Sequence, residues 1–234
     1  MDFTGVDTWI FDLDNTLYPV EARLFAQIER RMTAYVMRLT GVDEAEADRL
    51  RAHWWRQHGT TLAGLMAEHR IDPAGYLAEV HDIDFSVLAP DPGLAAAIEA
   101  LPGRKLVHTN ADSAYATRVL ACRGLGCFEA ICGIEEAGFH PKPDPRAYAA
   151  LLAAHDIDPG RAAFFEDDPR NLAHPHRLGM RTILVGLGRH GPDELGPAEV
   201  HGAHVQHRTD DLTAFLLPLA GAAADVARSA RARG

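Results

Sequence analysis

The sequence predicts an α/β protein: a three-layer α/β/α core around a parallel sheet, carrying an inserted helical subdomain. Three observations predict it. Short apolar runs at 6–12, 104–109, 161–166 and 181–186 alternate with helix-like segments, the pattern of parallel strands joined by helical crossovers. The stretch 18–89 breaks that alternation and contains no convincing strand. Polar and charged residues cluster directly after the apolar runs, where a doubly wound sheet forms its site.

The elements follow in chain order. Val6, Trp9, Ile10 and Phe11 form an apolar run that reads as a buried first strand. Leu24, Phe25, Ile28, Met32, Tyr35, Val36 and Leu39 recur at spacings of three and four, giving one amphipathic helix. Asp43 with Glu46 is a capping box for a second helix ending near Gly59. Thr60 or Thr61 caps a third, and Asp72-Pro73 opens a fourth. Pro90 and Pro92 mark the return to the core, so the expected domains are 1–17 with 90–234 as core and 18–89 as insert. Helices are then expected from Asp91-Pro92 through Leu101, from Ser113 to Cys122 and from Asp144 to His155. Ala130–Ile134 reads as a short strand and Val205–Arg208 as another. A helix from Asp210 to about Leu219 closes the core, and the Ala-, Arg- and Gly-rich tail from Gly221 is expected to fray.

Composition bounds the function. With 234 residues, 47% of them hydrophobic, the chain can bury a large core. A net charge of −10 argues against a nucleic-acid surface, which is normally basic. A small phosphorylated partner remains compatible, because local cations can offset the overall field. No apolar run approaches the roughly 18 residues of a membrane span. No basic-then-apolar leader is visible at the N-terminus. Cys122, Cys127 and Cys132 match no common zinc or CxxC spacing and read as reduced, packed thiols. The expectation is a cytoplasmic protein, monomeric or weakly dimeric.

Four strand ends carry chemistry: Asp12 and Asp14, Thr109-Asn110, Lys142, and Glu166-Asp167-Asp168. Two carboxylates at the end of a buried strand are costly there, and a cation or a reaction is the usual reason. Phosphoryl transfer asks for each of these groups. One carboxylate takes the phosphoryl group as nucleophile. A second passes a proton to the leaving oxygen and later activates water. Mg²⁺ needs hard oxygen ligands. A hydroxyl, a backbone N–H and an ammonium hold the non-bridging oxygens.

Asp12-Leu13-Asp14-Asn15-Thr16, Thr109-Asn110, Lys142 and Glu166-Asp167-Asp168 resemble, in order, the four motifs of the haloacid dehalogenase superfamily. The insert is similar to that superfamily's C1-type helical cap, so the resemblance covers nearly the whole chain. Phe11-Asp12-Leu13-Asp14-Asn15-Thr16-Leu17-Tyr18-Pro19 and His58-Gly59-Thr60-Thr61-Leu62-Ala63-Gly64-Leu65-Met66 resemble its pyrimidine 5′-nucleotidase-like branch. The resemblance implies a Rossmann-like core and a Mg²⁺-dependent phosphomonoesterase working through an aspartyl-phosphate. It implies Asp12 as nucleophile and Asp14 as general acid and base. It implies Mg²⁺ on Asp12, the Asp14 carbonyl and Asp167, with Glu166 direct or through water. Thr109, the Asn110 backbone and Lys142 would hold phosphate. Asp168 stands where serine is commoner and is expected only to cap the next turn. Tyr18 is expected in the wall of the substrate pocket.

Other features read more plainly. Gly186–Gly191 matches GxGxxG, but Pro192 follows where a helix should begin, so a loop is expected. His201, His204 and His207 lack a strong companion ligand and read as a solvated segment. Trp54 and Trp55 cannot share a helix face; one is expected in the core and the other toward the cleft. The expected substrate is a nucleoside 5′-monophosphate, pyrimidine first. Sugar phosphate or phosphoglycolate hydrolysis and phosphomutase chemistry are the same-fold alternatives. A dehalogenase would not need Asp14, because a halide leaves without a proton. From another class, a receiver-like or non-catalytic phospho-ligand binder would use similar acidic residues, a hydroxyl and a lysine.

Overall fold

Every residue of the first strand, β1 (Thr8–Phe11), is buried, as a central strand covered on both faces must be. The computed structural model describes residues 3–186 and 197–231. Around β1 lie β2 (Arg104–His108), β3 (Ala130–Cys132), β4 (Ala162–Glu166), β5 (Arg181–Val185) and β6 (His207–Thr209), in the order β3-β2-β1-β4-β5-β6. All five pairings are parallel. The order reverses at β1, which makes its carboxyl end the switch point where ligands bind in such sheets. Register does the rest. Phe11 pairs with Val107 and with Phe165, so Asp12, His108 and Glu166 leave the sheet at one level.

Four helices follow β1: α1 (Leu24–Thr40), α2 (Glu44–His58), α3 (Thr61–His69) and α4 (Pro73–Val80). Their boundaries follow the local chemistry. Asp43 accepts from Glu46 N, Thr60 from Ala63 N, and Asp72 from Ala74 N and Gly75 N, each satisfying first-turn donors that the helix cannot. Leu24, Ile28 and Val36 are buried along α1 as the periodicity expects, whereas Leu39 is 41% exposed. Trp54 is fully buried. It packs there because position 64 is glycine: a Cβ on Gly64 would lie 2.2 Å from Trp54 Cγ.

The chain leaves for this bundle after Leu17 and returns at Ala89. Buried Arg123 ties the two crossings together. Its Nε donates to Leu17 O at 3.1 Å, its Nη1 to Ala89 O at 2.5 Å and its Nη2 to Asp91 at 2.7 Å. The core then continues through α5 (Pro92–Glu99), α6 (Ser113–Arg123), α7 (Pro145–His155), α8 (Ala173–Arg177), α9 (Pro197–His201) and α10 (Leu212–Arg231). One hydrophobic cluster runs from Trp9, Phe11 and Phe165 through Leu94 and Phe215 to Trp54 and Leu65, so insert and sheet share a continuous core.

One expectation changes. The last helix continues to Arg231 with Pro218 inside it, where a frayed tail was expected from Gly221. Ala and Arg are strong helix formers, and they outweigh the single Gly. The short helices α8 and α9 had no legible period. The GxGxxG segment beyond Gly186 lies outside the described residues. Among the described residues, no helix is long and apolar enough to cross a membrane.

Candidate active site

Asp12 is the first residue beyond β1, its N–H still donating to Phe165 O at 2.8 Å. Its carboxylate is buried and held from two sides. Lys142 Nζ donates to Oδ1 at 2.7 Å and Thr16 Oγ1 to Oδ2 at 3.2 Å. The turn that returns Thr16 to Asp12 passes through Asn15 in the left-handed conformation, φ 59°, which asparagine tolerates better than most residues. Asn15 Nδ2 then donates to Asp167 Oδ2 at 3.3 Å.

Lys142 is 1% exposed and spends all three ammonium donors. Besides Asp12 they reach Glu166 Oε2 at 2.7 Å and His108 O at 2.8 Å. Burial disfavours the charged lysine, but Asp12 and Glu166 outweigh it and hold its pKa above the ordinary lysine value. The loop bearing Lys142 is clasped by Asn110. Asn110 Oδ1 accepts from Lys142 N at 2.8 Å and its Nδ2 donates to Lys142 O at 3.2 Å. Thr109 is buried beside it, its hydroxyl accepting from Ala111 N at 3.1 Å. His108 stays neutral, pushed down to about 3 by burial and then by Lys142.

Oxygens of Asp12, Glu166 and Asp167 all lie within 4.8 Å of one another, and all three residues are buried. One ammonium does not balance them. Burial, and then the neighbouring carboxylates, push Glu166 up to about 7 and raise Asp167 well above the carboxylate range. Three crowded hard oxygens with excess negative charge fit a divalent cation such as Mg²⁺. A pH prediction follows. Glu166 has a folded pKa above its ordinary 4.5, so the metal-free folded state binds extra protons between those values. Stability should therefore fall as pH rises from about 4.5 to about 7. Thermal melts with and without Mg²⁺ at pH 5.5 and 8 should show the larger cation stabilisation at pH 8; an equal gain at both would remove the carboxylates as its ligands.

Asp14 sits two residues on and is half-buried. Tyr18 OH and Tyr115 OH both donate to its Oδ1, at 2.6 and 2.7 Å. Burial, followed by the charge of Asp12, raises the Asp14 pKa, against the two phenols, which lower it. Tyr18 is 2% exposed, and it stands behind Asp14 rather than in the cavity wall where the sequence expectation put it. Tyr115 was not expected in the site at all. It lies in the first turn of α6, 101 residues from Asp14, and its only sequence signal is that this turn follows Thr109-Asn110. Asp168 caps the turn after β4, accepting from Arg170 N at 3.0 Å and pairing with the Arg170 guanidinium at 2.6 Å.

These groups open onto one cavity of about 1130 Å³ between the helical insert and the sheet, lined by Asp12, Asp14, Thr109, Asn110, Lys142, Glu166 and Asp167 on the core side. The insert contributes Phe25, Thr33, Asp48, Arg51 and Trp55 among others. Trp54 is the core tryptophan and Trp55 the cleft one, with the Arg170 guanidinium 3.5 Å over its ring. Thr33, Asp48 and Arg51 form a polar patch: Thr33 Oγ1 donates to Asp48 at 2.7 Å and Arg51 Nη1 to Thr33 at 2.7 Å.

A parallel sheet with an aspartate pair after its first strand and a lysine-bridged acidic cluster beside it defines a class of α/β hydrolases. Residues 6–175 match the haloacid dehalogenase-like hydrolase family and 140–214 a second, HAD-hydrolase-like model; the chain belongs to that family. It is 26% identical over 205 residues to validoxylamine A 7′-phosphate phosphatase of Streptomyces hygroscopicus subsp. limoneus, covering 82% of this chain and 90% of the relative. It is 25% identical over 193 residues, 75% of this chain, to phosphate metabolism protein 8 of Saccharomyces cerevisiae, of whose length the match spans 60%. Among solved structures it is similar to the HAD-hydrolase YfnB from Bacillus subtilis bound to magnesium, with TM-score 0.58 and 14% identity over 92% of this chain and 98% of that one.

Proposed function

We propose that the protein hydrolyses phosphomonoesters of small molecules, with Asp12 as nucleophile and Asp14 as general acid and base. The observation that carries this is the opposite setting of two carboxylates facing one cavity. Asp12 is paired with an ammonium, whereas Asp14 is held by neutral phenols with its pKa raised. Environments that separate two carboxylates in this way assign nucleophile and acid. Asp12 Oδ attacks phosphorus as the bond to the leaving oxygen breaks, and Asp14 gives that oxygen its proton. Water then yields a proton to Asp14 and attacks the aspartyl-phosphate, which frees Asp12. Thr109 and the Asn110 backbone would hold non-bridging oxygens, and Lys142 would move from pairing Asp12 to pairing phosphate. Mg²⁺ on Asp12, Asp167, the Asp14 carbonyl and Glu166 would supply positive charge to phosphoryl oxygens.

Two substrate classes fit the cavity. Nucleoside 5′-monophosphates, pyrimidine first, find room in its volume and an aromatic side chain in Phe25. Sugar phosphates are favoured by the patch of Thr33, Asp48 and Arg51, whose donors and acceptors suit hydroxyl groups. The test is phosphate release with Mg²⁺ from UMP, CMP, AMP, phosphoglycolate and hexose phosphates. UMP or CMP at the head of the series supports the first class and hexose phosphates the second. Chelation by EDTA should abolish turnover and added Mg²⁺ restore it; turnover indifferent to chelator would sink the cation's part. Return of the phosphoryl group to a sugar without net release would make the protein a mutase.

A further inference from the structure

We propose that Tyr18 and Tyr115 are positioning residues for Asp14, fixing its carboxyl group so that Oδ1 is locked and Oδ2 exchanges the proton. The inference rests on the general-acid reading of Asp14. Its ground is geometric. Two phenol O–H groups converge on the same oxygen, at 2.6 and 2.7 Å, and their own oxygens stand 3.5 Å apart. An oxygen that accepts two such donors is not the one bearing a proton. The proton of a neutral Asp14 therefore sits on Oδ2. Both phenols are 2% exposed, and buried hydroxyls are left at a cost unless bonded, so neither swings away freely.

Tyr115 is itself placed from two directions. Asp112 caps α6 and accepts from Tyr115 N at 2.6 Å. His81, which directly follows α4 of the insert, stacks on the Tyr115 ring with centroids 4.2 Å apart. Its Nδ1 lies 2.5 Å from the other Asp112 oxygen. Seating of the helical insert and orientation of the acid thus share one contact. In the first step Asp12 bonds to phosphorus, the leaving oxygen departs, and the Oδ2 proton goes to it. In the second, water returns a proton to Oδ2 while its oxygen displaces Asp12 from phosphorus. Both transfers need Oδ2 aimed at the reacting oxygen.

The test compares kcat/KM for phenyl phosphate and 4-nitrophenyl phosphate across wild type, Tyr18→Phe, Tyr115→Phe, the double variant and Asp14→Asn. Phenolate needs the proton on departure; nitrophenolate leaves largely without it. The double variant should lose about tenfold or more with phenyl phosphate and less than about threefold with 4-nitrophenyl phosphate, since a positioned acid contributes about 10²–10⁴-fold when it is needed. The phenylalanines keep the rings packed, and a retained kcat/KM for 4-nitrophenyl phosphate, which does not include the water step, reports an intact fold. Equal losses on both esters, or none on either, would overturn the proposal. Should Asp14→Asn itself fail to discriminate, the general-acid reading falls and takes this one with it. If Asp14→Asn discriminates and the tyrosine variants do not, only the positioning role is lost.

Discussion

Asp12→Asn should reduce phosphate release by about 10⁴-fold or more, the scale on which removal of an essential nucleophile is felt, and should not destabilise the protein. The two halves come from the same geometry. Asparagine has no carboxylate to attack phosphorus, so turnover falls in kcat rather than in KM. It keeps the shape of aspartate, and its amide oxygen can still accept from Lys142. Lys142 in any case retains Glu166 at 2.7 Å and His108 O at 2.8 Å. What the substitution removes is one of three carboxylates crowded within 4.8 Å. In chelator the melting temperature should therefore hold or rise by a few degrees, about 1 kcal/mol for a chain of this length. Sites built for function commonly store such strain. Single-turnover phosphate release and thermal melts in EDTA decide both halves. Substantial turnover in the variant would displace Asp12 from the nucleophile's role; a large drop in stability would mean that Asp12 is chiefly a structural partner of Lys142.

The sheet and the acidic strand ends were legible because they are local. Trp9-Ile10-Phe11 and Ala163-Phe164-Phe165 are apolar runs that end in carboxylates, and two-sided burial follows from them; the strand order that puts the switch point at β1 does not. The caps were legible for the same reason, since Asp43, Thr60 and Asp72 each bond to an N–H within three residues. What escaped depends on contacts across the chain. Tyr18 is four residues from Asp14, yet nothing local says that its hydroxyl turns back to the acid rather than out to the cleft. Tyr115 reaches the same oxygen from 101 residues along the chain. Asn110 was expected through its backbone, whereas its side chain clasps the Lys142 loop across 32 residues. Helical spacing sends one of Trp54 and Trp55 to the cleft without saying which; that it is Trp55, with the Arg170 guanidinium of a turn after β4 over it, is decided by the fold. Residue type and order suggested the chemistry; the orientation of each group was decided by partners that only the fold brings near.

Lys142→Met should be the most disruptive single change in the site, and for a reason opposite to that of Asp12→Asn. Methionine matches the aliphatic stem and fills the buried space, so the loss is of charge more than of packing. Asp12 and Glu166, each paired with the ammonium at 2.7 Å, are then left buried without a cation. Breaking a buried pair in this way costs about 3–5 kcal/mol, which at about 2–4 °C per kcal/mol corresponds to roughly 6–20 °C in melting temperature. Turnover should fall by about 10²–10³-fold, the loss expected on removing one donor to the phosphoryl oxygens. The two losses separate under Mg²⁺. A divalent cation on the remaining carboxylates should restore more stability to Lys142→Met than to wild type, because it becomes their only positive partner, yet it should not restore turnover, because the lysine's own contact with phosphate is still missing. Adding Asp12→Asn to Lys142→Met should also recover part of the lost stability, since it removes one of the two stranded charges. A double-mutant cycle on melting temperature measures that coupling. Additive effects would mean that the ammonium and Asp12 act independently, and recovery of turnover by Mg²⁺ alone would assign Lys142 to charge balance and not to the phosphate.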